Sequence, residues 1–327
     1  MTLRGGIDLG GTKVQAVVVD EANEVRGQAR AQTPLRGGPP AVAATMAGAL
    51  REAAEQAGAD ARELTGVGVG SPGQVDDAAG TVSSAKNLTD WAGTFALAQA
   101  LRDDLGIDEV RLSNDVGAAA DAESRLGAAK DAASFLGVFW GTGVGGAVIL
   151  DGVRWRGRGF GGEFGHMVIK LGGVRCPCGR LGHVEAYAGR GALEAKAREL
   201  QDKGEKTVLF KLMEEKGRDR LTSGVWEKAL RQGDEVAEQL IERGLQAIAA
   251  GAASVVNLLD VEAVVLGGGL GIRFGEPMAE RLREAMLPHL FVDQRPPTVR
   301  VAELGDLGGA LGASLMVAKA PSPAPAG

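Results

Sequence analysis

Two hairpin patterns, each turning on a glycine-rich loop, constrain this chain more than any other feature: GGIDLGGTKVQAVVV begins at residue 5 and SFLGVFWGTGVGGAVIL at residue 134. Residues 5–33 read as three short strands with turns at GGT and EAN, because β-branched residues recur between turn formers. PPAVAATMAGALREAAEQAG then has proline at its start, Ala and Leu at helical spacing and Gly58 as a stop. LTGVGVGSPG reads as a buried strand running into a turn. A helix over 94–105, a strand over 109–113 and an Asn-Asp-capped helix over 116–126 complete the order βββ-α-β-α-β-α. The second hairpin leads to a long helix over 235–259, the strand EAVVLGG, a helix, the strand TVRVAEL and a final helix. The same order has come round twice. An insertion over about 159–231, with two short helical patterns, interrupts the second copy.

Duplication on this scale predicts an α/β fold of two related lobes facing each other across a cleft. The expected division is an N-terminal lobe over 1–115, a C-terminal lobe over 116–304, and a helix over about 305–318 packing back on the first lobe. The Pro-rich residues 319–327 are expected to be disordered. The 327 residues also exceed the roughly 250–300 at which single cores stop growing, which favours two lobes independently. The formal charge of −6 comes from 36 basic and 42 acidic residues interspersed, with no basic stripe for nucleic acid or anionic lipid. A small-molecule ligand is expected instead. No apolar stretch approaches the roughly 20 residues of a spanning helix and no basic-apolar leader precedes the first strand, so a soluble cytoplasmic protein is expected.

Two stretches match G-x-G-x-x-G: Gly68, Gly70 and Gly73, and Gly141, Gly143 and Gly146. A dinucleotide fold needs that pattern to open a helix directly after a strand. GVGSPG runs instead into acidic QVDD and GTGVGG into the strand AVIL, so an oxidoreductase is excluded on context. No G-x-x-x-x-G-K-[ST] loop is present. A tight glycine hairpin taken alone needs no function. Two at matching places in a duplicated scaffold form candidate backbone nests for polyphosphate oxygens, at Gly10 and Gly11 and at Gly141, Thr142 and Gly143. Asp8 beside the first turn suits a hydrated Mg2+, while Thr12 and Lys13 offer a hydroxyl and a cation to phosphates. Gly267, Gly268 and Gly269, between a strand and a helix, fit a close approach of backbone to a nucleoside, or an ordinary connection.

DLGGTK, GSPG, NLTDW, SNDVGAAADAE, GTGVGGAVI, GGEFGH, CPCGRLGHVEAY and VVLGGGL, in this order, resemble the ROK family of sugar kinases and repressors, most closely its bacterial glucokinases. The resemblance covers residues 5 to about 318. It implies the actin-like, hexokinase-type two-lobed fold with ribonuclease H-like lobes, and ATP-dependent phosphorylation of the 6-hydroxyl of glucose. The family's general base falls on Asp115. Its sugar ligands fall on Asn87, Asn114, Glu163, His166 and Glu185, with backbone from Gly73. Without the resemblance Asn114 and Asp115 would read as helix caps and the glutamates as surface charges. Mannose, fructose, an N-acetylated hexosamine, or polyphosphate as donor remain open within the kinases.

Cys176 and Cys178, the only cysteines, sit too close for a relaxed disulfide and lack the C-x-x-C spacing of a redox pair. With His166 upstream and His183 downstream they give four ligands suited to tetrahedral Zn2+, a closed and hence structural site. The family pattern has a third cysteine where this chain has His183. Imidazole is a good zinc ligand, so bound zinc is still expected, locking the loop that carries His166 and Glu185. The family's repressors carry a DNA-reading segment before the first glycine turn. Only seven residues precede Asp8 here, so a sugar-sensing regulator is the lesser expectation. Family members form dimers, so a homodimer is expected.

Overall fold

The computed structural model describes residues 2–85 and 88–318, which form two compact units. One runs to Arg125 and resumes at Asp306; the other is Leu126–Gly305. The boundary after 125 lies further along the chain than the one expected at 115. Each unit has its own hydrophobic core, the first around Ile7, Met46, Leu50 and Leu101, the second around Trp140, Trp226, Leu245 and Leu266.

The first unit is built on β1 (Arg4–Leu9), β2 (Lys13–Val19), β3 (Val25–Gln32), β4 (Val67–Ser71) and β8 (Val110–Asn114), in the order β3-β2-β1-β4-β8. β1 pairs antiparallel with β2 and parallel with β4, and β4 pairs parallel with β8. In this register Asp8 lies opposite Gly70, and Ser71 opposite Asn114. Three parallel strands therefore end along one edge, the place where α/β sheets bind ligands. Helix α1 (Gly38–Gln56) starts with proline in its first turn and buries Val42, Met46, Leu50 and Ala53. α2 (Leu97–Leu105) and α3 (Asp115–Leu126) follow.

A small sheet of β5 (Gln74–Asp76), β6 (Thr81–Ser83) and β7 (Thr94–Phe95) was not expected from the sequence. The helix expected from residue 94 begins instead at Leu97, after the β7 strand. The final helix, α10 (Gly308–Leu315), packs on β1 and β4. Its backbone comes so close that a Cβ on Gly6 would lie 2.0 Å from the Ala310 oxygen, and one on Gly68 1.7 Å from the Ala313 oxygen. The glycines of these two strands are what admit the helix.

The second unit repeats the plan with β9 (Phe135–Trp140), β10 (Val144–Leu150), β11 (Val153–Arg154), β12 (Ala263–Gly267) and β13 (Thr298–Val301), in the order β11-β10-β9-β12-β13. Helix α8 (Glu235–Leu259) spans the residues its periodicity predicts. Its start is fixed by Asp234, whose Oδ1 accepts from the Ala237 N–H at 2.7 Å. α9 (Gly268–Met286) is broken at Gly275, two residues before Pro277. Four helices, not two, occupy the insertion: α4 (Glu185–Ala188), α5 (Arg190–Asp202), α6 (Leu209–Glu215) and α7 (Ser223–Arg231). Among the described residues no helix is long and apolar enough to cross a membrane.

Candidate active site

The β1–β2 turn is pinned by Thr33, whose hydroxyl donates to the Gly10 oxygen at 2.7 Å and whose N–H donates to the Thr12 oxygen at 3.2 Å. Lys13, at the start of β2, pairs through Nζ with Asp306 Oδ1 at 2.9 Å. Asp8 projects from β1 against the first turn of α10. A Cβ on Gly309 would meet the Asp8 carboxylate atoms at 2.6–2.9 Å, so only glycine leaves room for that side chain. Burial first, and then the charge of Asp115, push Asp8 up to about 7, while Lys13 acts in the opposite direction. Two carboxylates, one near the end of β1 and one directly after β8 with β4 between those strands, thus disfavour joint ionisation, an arrangement that a divalent cation would relieve.

Asp115 is the first residue of α3, and its Oδ1 accepts from the Val116 N–H at 2.9 Å. Asn114 caps the helix, its Oδ1 accepting from the Gly117 N–H at 3.1 Å. Gly73 has φ of +91°, and a Cβ there would lie 2.6 Å from the Ser83 oxygen, so its backbone is fixed by turn geometry. Asn87 lies outside the described residues.

In the second unit the turn Gly141–Thr142–Gly143 rests on the beginning of α5. Arg190 N–H donates to the Gly141 oxygen at 3.1 Å and Gly191 N–H to the Thr142 oxygen at 3.1 Å. Glu185 Oε2 accepts from the Val144 N–H at 3.0 Å, and a Cβ on Gly143 would strike that oxygen at 2.2 Å. Gly268, with φ of +77°, crosses the Trp140 backbone, where a Cβ would find atoms at 2.6–2.7 Å. Gly141, Gly268 and Gly269 are thereby adjacent.

His166, Cys176, Cys178 and His183 come together, their donor atoms all within 4.8 Å of one another. Two antiparallel bridges, Val168 with His183 and Arg175 with Leu181, fold the loop so that they meet. Cys178 Sγ lies 3.4 Å from His183 Nδ1 and Cys176 Sγ 3.9 Å from His166 Nδ1. A tetrahedral ion with nitrogen and sulfur ligands requires donors roughly 3.3–3.8 Å apart, so this cluster fits a metal ion with little adjustment. Burial pushes the Cys176 thiol up to about 12, and burial with the neighbouring His166 and Arg180 holds His183 below the ordinary imidazole value. A neutral imidazole is the form that ligates. Cys176 also donates to Glu185 Oε1 at 3.6 Å, so the same glutamate touches both the cluster and the glycine turn. Glu163 is exposed, immediately before the short 3-10 turn Phe164–His166.

The model of the ROK family matches residues 4–320. The chain belongs to the ROK family. A glucokinase of Thermotoga maritima is 31% identical over 286 residues, 87% of each chain. An N-acetyl-D-glucosamine kinase of Salmonella paratyphi B is 30% identical, covering 95% of this chain and 98% of its own. The crystal structure of a ROK family glucokinase from Streptomyces griseus in complex with glucose and AMPPNP is similar at a TM-score of 0.81 and 31% identity, covering 96% of this chain and 98% of that one. The fold is accordingly the α/β, duplicated, two-lobed actin-like fold of ROK hexokinases and glucokinases.

Three participants carried no legible signal in the sequence. Asp306 was read only as part of the final helix expected over about 305–318, although it holds Lys13. Arg190 donates to Thr142 Oγ1 at 2.8 Å, and Arg220 Nη2 lies 3.6 Å from where a Cβ on Gly191 would stand. Both arginines sit in the insertion, whose register against the glycine turn no local pattern announces.

Proposed function

We propose that this ROK protein is a sugar kinase that transfers the γ-phosphoryl group of ATP to the 6-hydroxyl of glucose. The observation that carries the reading is the pairing of Asp8 and Asp115 at the ends of parallel strands in a chain of this family. Asp115 accepts the proton of the attacking hydroxyl, since phosphoryl transfer needs a positioned carboxylate more than covalent chemistry. Asn114, Asn87 and the Gly73 backbone hold the sugar from one set of elements, and Glu163, His166 and Glu185 from another. Carboxylates suit this because adjacent sugar hydroxyls donate to them in pairs. The nucleotide is assigned to Gly10, Gly11, Thr12 and Lys13, to Gly141, Thr142 and Gly143, and to Gly267, Gly268 and Gly269.

Asp8 would hold Mg2+, which supplies charge neutralisation on the phosphates when bound. Zn2+ would be held by His166, Cys176, Cys178 and His183, a closed set of four ligands that makes it structural. The role we assign to this site is to fix the loop carrying His166 and Glu185. A homodimer is the assembly we assign by resemblance to the family.

A second reading rests on the N-acetyl-D-glucosamine kinases among the relatives: an N-acetylated hexosamine as acceptor. A panel of glucose, mannose, fructose, N-acetylglucosamine and N-acetylmannosamine, assayed by coupled ADP release, tests both. Glucose is expected to give the highest kcat/KM. Preference for an N-acetylated sugar would move the assignment to the second reading, and absence of sugar-dependent ADP release with all five would reject the kinase.

A further inference from the structure

The second glycine turn is bordered by positive charge that the roles above leave unused. Arg190, the first residue of α5, donates through Nη2 to Thr142 Oγ1 at 2.8 Å. Thr142 accepts there through its oxygen, which leaves its hydroxyl proton to be donated. Arg220 Nη2 stands beside Gly191, whose N–H is bonded to the Thr142 oxygen. Ser223 Oγ, at the start of α7, lies 4.0 Å from the Cβ position of Gly269. The beginnings of α5, α7 and α9 therefore converge on one glycine turn.

The acid that faces these arginines is Glu194, and it is already engaged. Its Oε2 accepts from the Leu221 N–H at 3.0 Å, its Oε1 accepts from Arg198 at 2.8 Å, and Arg220 Nε is 3.9 Å from Oε2. Arg198 is turned away from the glycine turn, its guanidinium 4.8 Å over the Phe210 ring. Burial, and then the like charge of Arg220, hold Arg190 below the ordinary guanidinium value, with Glu194 opposing. Two guanidinium groups held near one another beside a glycine turn form a fork matched to phosphate oxygens.

We propose that Arg190 and Arg220 form a phosphate clamp that, with Thr142, binds the phosphate chain of the phosphoryl donor. This rests on the kinase reading above and adds to it a recognition element in the insertion. A phosphate chain is shared by a nucleoside triphosphate and by inorganic polyphosphate. A clamp that grips phosphates alone admits both.

The test is binding of MgATP and of magnesium tripolyphosphate to the full-length protein by calorimetry, without sugar and without turnover. The proteins are wild type, Arg190→Gln, Arg220→Gln and Arg198→Gln. Loss of charge-assisted hydrogen bonds should weaken both ligands about tenfold or more in the first two variants, while Arg198→Gln stays within about twofold. Glucose affinity should not move. Arg220, with a side chain 60% exposed, is replaceable without loss of the fold. Independently, dicarbonyl labelling of wild-type arginines mapped by mass spectrometry should show Arg190 and Arg220 protected by either ligand. ATP and tripolyphosphate binding within twofold of wild type in both variants, or equal labelling with and without ligand, would overturn the clamp. So would tripolyphosphate binding that persists at saturating ATP. Failure of the sugar panel with intact phosphate binding rejects the kinase reading and leaves the clamp standing.

Discussion

The two glycine turns occupy the same place in two copies of one sheet plan, yet they hold their carboxylates in different ways. In the first hairpin the carboxylate belongs to the strand itself: Asp8 precedes the turn and is pressed against Gly309 of α10. In the second, Phe139 stands at the equivalent point, and the carboxylate arrives from outside the hairpin as Glu185, pressed against Gly143. The ladder closes at Leu9 and Val14 in the first and at Trp140 and Val144 in the second, so the turns also differ in length. Duplication supplied the scaffold, and the division of chemistry came from what each copy packs against its turn. The first turn carries charged side chains, Asp8 and Lys13. The second is organised by backbone hydrogen bonds and by an insertion that brings Glu185, the Cys and His cluster and two arginines to it.

The difference predicts that crowding each carboxylate has a different consequence. Gly309→Ala should have the larger one. It displaces Asp8, and a misplacement near 1 Å at a catalytic centre costs about 10²-fold, here in kcat/KM for MgATP with glucose affinity retained. Steady-state kinetics with each substrate varied would check it, and an equal loss for both substrates would remove the assignment of Asp8 to the donor.

Metal removal comes next. Chelation, confirmed by metal analysis, should weaken glucose binding about tenfold and open residues 159–190 to proteolysis, because outer supports of a metal-ordered site act on that scale. Unchanged glucose affinity in metal-free protein would detach the cluster from the sugar.

Gly143→Ala should raise the glucose KM by roughly 3–10-fold, the loss of one Glu185 hydrogen bond, and the KM for MgATP by no more than that, although Gly143 lies in the turn assigned to the donor. A larger effect on MgATP than on glucose would place Glu185 with the donor instead.

The smallest effect is a displacement in pH. Asp8 titrates near 7 in the folded protein, so metal-dependent activity at low Mg2+ should rise with pH through about 7. Asp306 raises Asp8, and removing its charge also leaves Lys13 uncompensated, so Asp306→Asn should move that limb to lower pH. The stability sign follows the same value. An acid raised on folding retains its proton in the native state, so its contribution is present near pH 4 and lost as pH rises through about 7. A limb unmoved in Asp306→Asn would separate that residue from Asp8.

How much of this could be read beforehand varies with the length of the interaction. The helix over 235–259 was legible because its periodicity is long. The strands of both hairpins were legible because β-branched residues alternate between turns. The β5–β6–β7 sheet was not, because strands of two or three residues carry no period and Gln74–Asp76 has a single apolar residue. The fourfold Cys and His set was legible from ligand chemistry alone. The contacts of Lys13 with Asp306 and of Arg190 with Thr142 join residues 293 and 48 positions apart, and no local pattern encodes them.

The most direct test of the account replaces Asp115 by Asn and measures two quantities on the same protein: glucose affinity by calorimetry and ADP release with glucose and MgATP. A general base predicts affinity within about threefold of wild type and kcat lower by about 10²–10⁴-fold. Turnover at the wild-type rate in that variant would contradict it.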